Sequence, residues 1–189
     1  MPVEALSVGA FLNAVASREP APGGGGAAAI TTAAAAGLVA MAARFSTDEL
    51  TMVADRADAL RAEVTPLVDE DATAYTAVLE AARLPREQDD RKRRLTEALQ
   101  VAADVPLRIA RVGSEVAELA ARLVIEGNPN VRGDAHAGVF LADGATQAAA
   151  ELVRLNVEYG NLAEDWLHQA RACTTRATKA RQAANGISP

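Results

Sequence analysis

Half of the 189 residues are hydrophobic, but about 45 are alanine and only 3% are aromatic, so any core has to come from small side chains on closely spaced helices. The 19 Lys and Arg against 25 Asp and Glu leave a net charge of −6 without a concentrated basic patch, which argues against a nucleic-acid partner. The single cysteine, Cys173, excludes an internal disulfide and a multi-cysteine metal site; with no basic export signal at Met1-Pro2-Val3-Glu4, the expected compartment is cytoplasmic.

Ser7 predicts the cap of a short helix in which Val8, Phe11, Leu12 and Val15 share one face. Pro20-Ala21-Pro22 and the four glycines Gly23 to Gly26 read as a turn, after which an alanine-rich helix runs to about Phe45. The uncharged stretch Gly23 to Ala43 is long enough to cross a bilayer. Its only large apolar residues are Ile30, Leu38, Val39 and Met41, so a packed central helix and no membrane contact are expected. Ser46 and Glu49 have the spacing of a capping box. The run that follows, Leu50, Val53, Ala57, Leu60, Val64, Leu67, Asp71, Ala74 and Val78, steps by threes and fours along one helix face, with Pro66 as a kink.

The charged segment Pro85 to Arg94 reads as a solvated turn and helix entry. A further helix follows through Leu95, Leu99, Ala102, Ile109, Val112, Val116, Leu119 and Leu123, kinked at Pro106 and stopped at Gly127. Gly127 to Gly133 is expected to be a rigid polar loop, and Asp134 to cap a helix from Ala135 to about Tyr159. Gly160-Asn161 ends that helix, and Leu162, Trp166, Ala170, Cys173 and Ala177 form a last stripe before a frayed end, Asn185 to Pro189. Without strand alternation, repeat or linker, the reading is one all-α domain over 1–189, a bundle of five to six helices, several of them long and proline-kinked.

Four features are able to carry chemistry. Bare backbone at Gly23, Gly24, Gly25 and Gly26, just before a helix, suits the approach of an anion to free N–H groups; a simple hinge is the alternative. Asp71 occupies the core phase of its helix, where a carboxylate must be hydrogen-bonded, ion-paired with an arginine, or exposed in a cleft. Asn128, Asn130, Arg132, Asp134 and His136 crowd polar groups near a loop stiffened by Pro129. Asp134 is also readable as a plain cap there, and His136 as a general base or a first-turn surface residue. Asn156, in line with Ala149 and Val153, is either a satisfied structural amide or a substrate contact. The two histidines, His136 and His168, are too far apart in sequence to suggest metal ligation, and no metal or other cofactor is expected.

In order along the chain stand Phe11-Leu12, Pro20-Ala21-Pro22-Gly23-Gly24-Gly25 and the alanine-rich helix, then Asp71-x-x-x-Tyr75-x-x-Val78 leading to Leu84-Pro85. Gly127-Asn128-Pro129-Asn130 with Asp134, and Asn156-Val157, complete the set. This ordered set resembles the formiminotetrahydrofolate cyclodeaminase family, whose stand-alone bacterial members include methenyltetrahydrofolate cyclohydrolases. The resemblance implies an all-helical fold that associates as a homodimer. It also implies a folate cleft lined by the glycine turn, Asp71 and the Asn/Asp loop, and chemistry at the N–C–N unit of methenyl- or formimino-tetrahydrofolate. On that reading Asp71 and Asp134 are the candidate catalytic carboxylates, needing no metal. Gly23 to Gly26, Tyr75, Asn128, Asn130, Arg132, His136 and Asn156 are the candidate substrate contacts. Gly26 and Gly133 stand where the family usually has serine, and the asparagine expected soon after Asn156 is displaced to Asn161. Two other classes remain: the same scaffold acting on a non-folate substrate, and a non-catalytic helical partner-binding protein.

Overall fold

The computed structural model describes residues 3–186, apart from the side chain of Glu4. The expectations for residues 1–2 and for the part of the expected frayed end at 187–189 fall outside them, while Asn185, the first residue of that end, is still helical. The described residues form seven α-helices: α1 (Val8–Val15), α2 (Gly24–Arg44), α3 (Thr51–Val64), α4 (Leu67–Arg83), α5 (Arg91–Glu126), α6 (Arg132–Gly160) and α7 (Asp165–Asn185). The chain keeps helical dihedrals through Thr65 and Pro66, so α3 and α4 are two arms of one helix interrupted where Pro66 lacks an N–H. Six helices then remain, as the periodicity predicts, and no strand occurs among the described residues.

The glycines and alanines let the helices approach closely. α2, α5 and α6 pack on one another, with α3 and α4 against α2 and α5, and α7 against α5 and α6. A Cβ added at Gly138 of α6 would meet Val39 of α2 at 3.5 Å and Ala120 of α5 at 3.6 Å, so these three backbones meet with almost nothing between them. Leu60, Leu67, Ile109 and Leu123 supply the largest fully buried side chains of the main core, amid more than a dozen buried alanines. Ion pairs tie neighbouring helices at their rims: Arg44 with Asp58, Arg56 with Glu115 at 2.6 Å, Arg108 with Glu70, and Arg176 with Glu118 at 2.6 Å.

Local signals hold where no distant group competes for them. Ser7 caps α1, its Oγ accepting the Ala10 N–H at 3.2 Å. Asn161, at φ 48°, ends α6 in the left-handed region that asparagine tolerates. Elsewhere the structure corrects the sequence reading. Ser46 forms no capping box: its Oγ donates to the Ala42 carbonyl at 2.8 Å and accepts the Asn128 N–H at 2.9 Å, and α3 begins only at Thr51 after a 3₁₀ turn at Asp48–Leu50. Nor does Asp134 cap α6. Asn128 caps a 3₁₀ turn at Pro129–Val131 that runs straight into α6 at Arg132, which leaves Asp134 inside the first helical turn. The four glycines are not a free turn either: Gly23 is the N-cap residue and Gly24 to Gly26 are the first turn of α2. On length and composition α2 does qualify as a membrane span, with mean hydropathy 1.7, because alanine counts as apolar; 56% of that window is nevertheless buried inside the bundle, as in a core helix. The face predicted for α1 is buried only at Phe11, while Val8 is 78% and Leu12 60% exposed.

Candidate active site

A cleft of about 350 Å³ opens at the N-terminal end of α2. One side is backbone, contributed by Pro20, Ala21 and the glycines; the opposite side is α4, through Asp71, Ala74 and Tyr75. Leu152 and Leu155 of α6 make an apolar wall, and Ala102 and Asn156 close the remaining side. That volume lies within the range of small-ligand sites, about 300–1,000 Å³.

The centre of the cleft is the meeting of Asp71 with α2. Asp71 Oδ2 accepts the Gly26 N–H at 3.1 Å, which puts a carboxylate on the positive end of the helix dipole. The approach is so close that a Cβ at Gly25 would lie 2.0 Å from Asp71 Oδ1 and 2.3 Å from Cγ. Gly25 is therefore required by the carboxylate lying across it, a contact that arises 46 residues further along the chain. The N–H groups of Gly24 and Gly25 carry no hydrogen bond among the described residues and remain as donors at the cleft. Asp71 forms no ion pair among the described residues, so the arginine-paired alternative does not hold. Burial pushes its carboxyl above the usual carboxylate range, and the Gly26 N–H draws it part of the way back. A carboxyl whose pKa is raised takes up a proton more readily than an ordinary aspartate, which favours proton exchange.

Tyr75 stands one turn beyond Asp71 on the same face of α4, the residue 45% exposed at the cleft rim. Asn156 donates from Nδ2 to the Ala102 carbonyl at 2.6 Å. Apart from Asp71, no side chain among the described residues lining the cleft is charged. Gly23, Gly24, Gly25, Asp71, Tyr75 and Asn156 are thus brought together, with Gly26 beside them through its bond to Asp71.

The other group of predicted residues lies elsewhere. Asn128 Nδ2 donates to the Phe45 carbonyl at 2.6 Å, which fastens its loop to the C-terminal end of α2. A helix of 21 residues separates the two ends by about 30 Å, so within one chain Asn128, Asn130, Arg132, Asp134 and His136 do not reach the cleft. Asn130 is exposed; Arg132, Asp134 and His136 are half-buried, and the Arg132 Nε is buried without a hydrogen-bond partner. Sequence reasoning missed the apolar wall, Leu152 and Leu155. Their i and i+3 spacing, one turn before or beside Asn156, was the available signal. It also missed Asp143, a buried carboxylate on α6 that accepts from Arg181 Nε at 2.6 Å and from Gln147 at 3.1 Å, where it fastens α7. Among the described residues no group of three His, Cys, Asp or Glu side chains is placed to hold a metal ion.

A helical bundle with one half-buried carboxylate, free backbone donors and an apolar wall in a single cleft has the make-up of a small-ligand enzyme site. Residues 7–172 match the family described as formiminotransferase-cyclodeaminase, and the chain belongs to that family. It is similar to a methenyltetrahydrofolate cyclohydrolase of Methylorubrum extorquens, 36% identical over 165 residues, covering 80% of this chain and 79% of that protein. It is also similar to the mouse formimidoyltransferase-cyclodeaminase, 35% identical over 123 residues, which cover 58% of this chain and 23% of the much longer mouse protein. The fold matches the crystal structure of a formiminotetrahydrofolate cyclodeaminase from Thermotoga maritima with a TM-score of 0.88 at 24% identity, over 97% of this chain and 96% of that one.

Proposed function

We propose that this chain is a folate one-carbon enzyme acting on the N–C–N unit of methenyl- or formimino-tetrahydrofolate, with Asp71 as its catalytic carboxylate. The observation that carries this reading is the placement of Asp71: half-buried, without a cationic partner among the described residues, and held against bare helix backbone. The methenyl group is a cation delocalised over two nitrogens and the carbon between them. A carboxylate that burial has deprived of solvent and of any ion pair gains most from such a cation. In the hydrolytic direction, water adds to the central carbon while Asp71 takes its proton. The carboxyl then returns a proton to the departing ring nitrogen as the C–N bond breaks, leaving a formyl group and releasing one proton overall. In cyclodeamination, the secondary amine outside the pterin ring adds to the formimino carbon and gives its proton, through Asp71, to the imino nitrogen; the carboxyl then delivers a second proton as the C–N bond breaks and ammonia leaves, so that one proton is taken up overall as the methenyl cation forms. Support for the folate substrate comes from the methenyltetrahydrofolate cyclohydrolase that this chain resembles along most of both lengths.

Two copies are proposed to associate. Small alanine side chains make a thin core, and Val8, Leu12, Met52 and Tyr159 leave apolar surface uncovered. Asp134 and Arg132, about 30 Å from Asp71 in the same chain, have a role at this centre only if a second copy delivers them. Arg132 is then the cation for the glutamate tail of the folate, which no residue of the cleft lining supplies. A cytoplasmic location, where folate one-carbon chemistry and a free thiol at Cys173 are both at home, completes the proposal.

The test is incubation with methenyl- and formimino-tetrahydrofolate, following methenyl absorbance, for the wild type and Asp71→Asn. Wild-type conversion of one of them and a loss of about a hundredfold or more in the variant are expected. Conversion of neither, or near-normal turnover by a folded Asp71→Asn, overturns the assignment.

A further inference from the structure

Pro106 lies in the middle of α5, a 36-residue helix that continues through it. In an uninterrupted helix the Ala102 carbonyl accepts the N–H of residue 106, and proline has none. That carbonyl is nevertheless not orphaned: Asn156 Nδ2, reaching across from α6, donates to it at 2.6 Å. A carbonyl only accepts, so this bond decides which way the amide faces, with Nδ2 on α5 and Oδ1 turned away from it. Oδ1 has no partner among the described residues and is not one of the sealed, unpartnered polar atoms, and Asn156 lines the Asp71 cleft.

We infer that Pro106 is a positioning residue: by withholding an N–H from the Ala102 carbonyl it fixes the amide of Asn156 so that Oδ1 faces the Asp71 cleft as a permanent acceptor. With Asp71 the only charged group among the described lining residues, the Asp71 and Asn156 oxygens are then acceptors only, while donors come from the Gly24 and Gly25 backbone and from the Tyr75 hydroxyl at the rim, which can also accept. The cleft thereby selects a ligand with hydrogen-bond donors beside a cationic centre, and an amide free to flip would lose that selection. This specificity role rests on reading the cleft as the active site; the orientation of Asn156 does not.

The experiment uses Pro106→Ala, Asn156→Ala and the double variant, with melting temperature, side-chain amide exchange by NMR, and turnover as readouts. In the wild-type background Asn156→Ala should lower the melting temperature by about 2–6 °C, because it strands the Ala102 carbonyl. In the Pro106→Ala background it should cost less than half as much, since the restored N–H serves that carbonyl instead. Exchange of the Asn156 side-chain amide should quicken about tenfold or more in Pro106→Ala. Asn156→Asp, which keeps the shape but has nothing to donate, should follow the same melting pattern and serves where Asn156→Ala folds poorly. On the folate substrate, Pro106→Ala should lose about tenfold in kcat/KM, and the double variant should be no worse than Asn156→Ala alone. Additive melting shifts, or amide exchange unchanged by Pro106→Ala, overturn the positioning role whether or not either folate is turned over. Wild-type turnover by Pro106→Ala overturns the specificity role. Failure of the wild type on both folates defeats the proposed activity alone, because melting and exchange still decide the orientation.

Discussion

Replacing Gly25 by alanine is the sharpest perturbation the site offers, because it adds one methyl group at the closest approach in the cleft. That Cβ would lie 2.0 Å from Asp71 Oδ1, where ordinary contact begins at 3.4 Å, so the carboxylate has to retreat by about 1.4 Å. It then loses the 3.1 Å bond from the Gly26 N–H. A hydrogen bond to a charged group contributes about 1.5–3 kcal/mol. Against this, alanine is favoured over glycine in a helix by about 0.5–1 kcal/mol. The net cost is about 1–2 kcal/mol, or about 2–8 °C in melting temperature for a chain of this size. Turnover should suffer far more, because displacing a catalytic group by about 1 Å costs about a hundredfold. Circular dichroism melts paired with methenyl absorbance assays measure both quantities. Gly26→Ala is the control: its Cβ would rest at 3.4 Å from Pro22 and 3.5 Å from Val68, which is ordinary contact, and turnover should be retained. Equal losses for the two variants, or full turnover by Gly25→Ala, would refute the steric argument.

Stability should depend on pH through Asp71. Burial raises its folded pKa above the unfolded value of about 3.9, so its stabilising contribution is complete below that pH and is lost as pH rises through the folded value. Asp71→Asn should therefore gain in melting temperature relative to wild type between pH 4 and 7; a flat difference over that range, as an arginine-paired carboxylate ionised throughout it would give, contradicts the burial account. Asp143→Ala removes the acceptor for Arg181 and Gln147 and should lower stability by about 2–4 kcal/mol in urea melts, with turnover per folded molecule unchanged. A loss below 1 kcal/mol would show that α7 is held by packing alone. If a second copy delivers the far loop, mixing inactive Asp71→Asn with inactive Arg132→Ala should restore about a quarter of wild-type sites in a randomly exchanged dimer; no recovery despite subunit exchange, or a strictly monomeric mass by light scattering, removes the far loop from this site.

The amino-acid order alone determines the helices. Apolar steps of three and four from Val53 to Val78 and from Leu99 to Leu123 impose one buried face whatever lies opposite, and the missing N–H at Pro66 marks the break between α3 and α4, although α5 runs on through Pro106. The Ser7 cap and the Asn161 stop act within a few residues and are equally legible. Asp71 stands out for the same reason: a carboxylate in apolar phase breaks a local pattern. What could not be read from one segment is the outcome of competition between segments. The Ser46 hydroxyl has a choice of acceptors and donors, and Ala42 and the distant Asn128 engage it before a capping box can form. Gly25 looks like any of four glycines until α4 brings the Asp71 carboxylate across its Cα. Two polar clusters look equally fit for one site, but α2 is a rigid rod of 21 residues with one cluster at each end. Helix formation is decided by neighbours a few residues apart, whereas hydrogen-bond partners and shared clefts are decided by which helices pack together; only the tertiary structure contains that pairing.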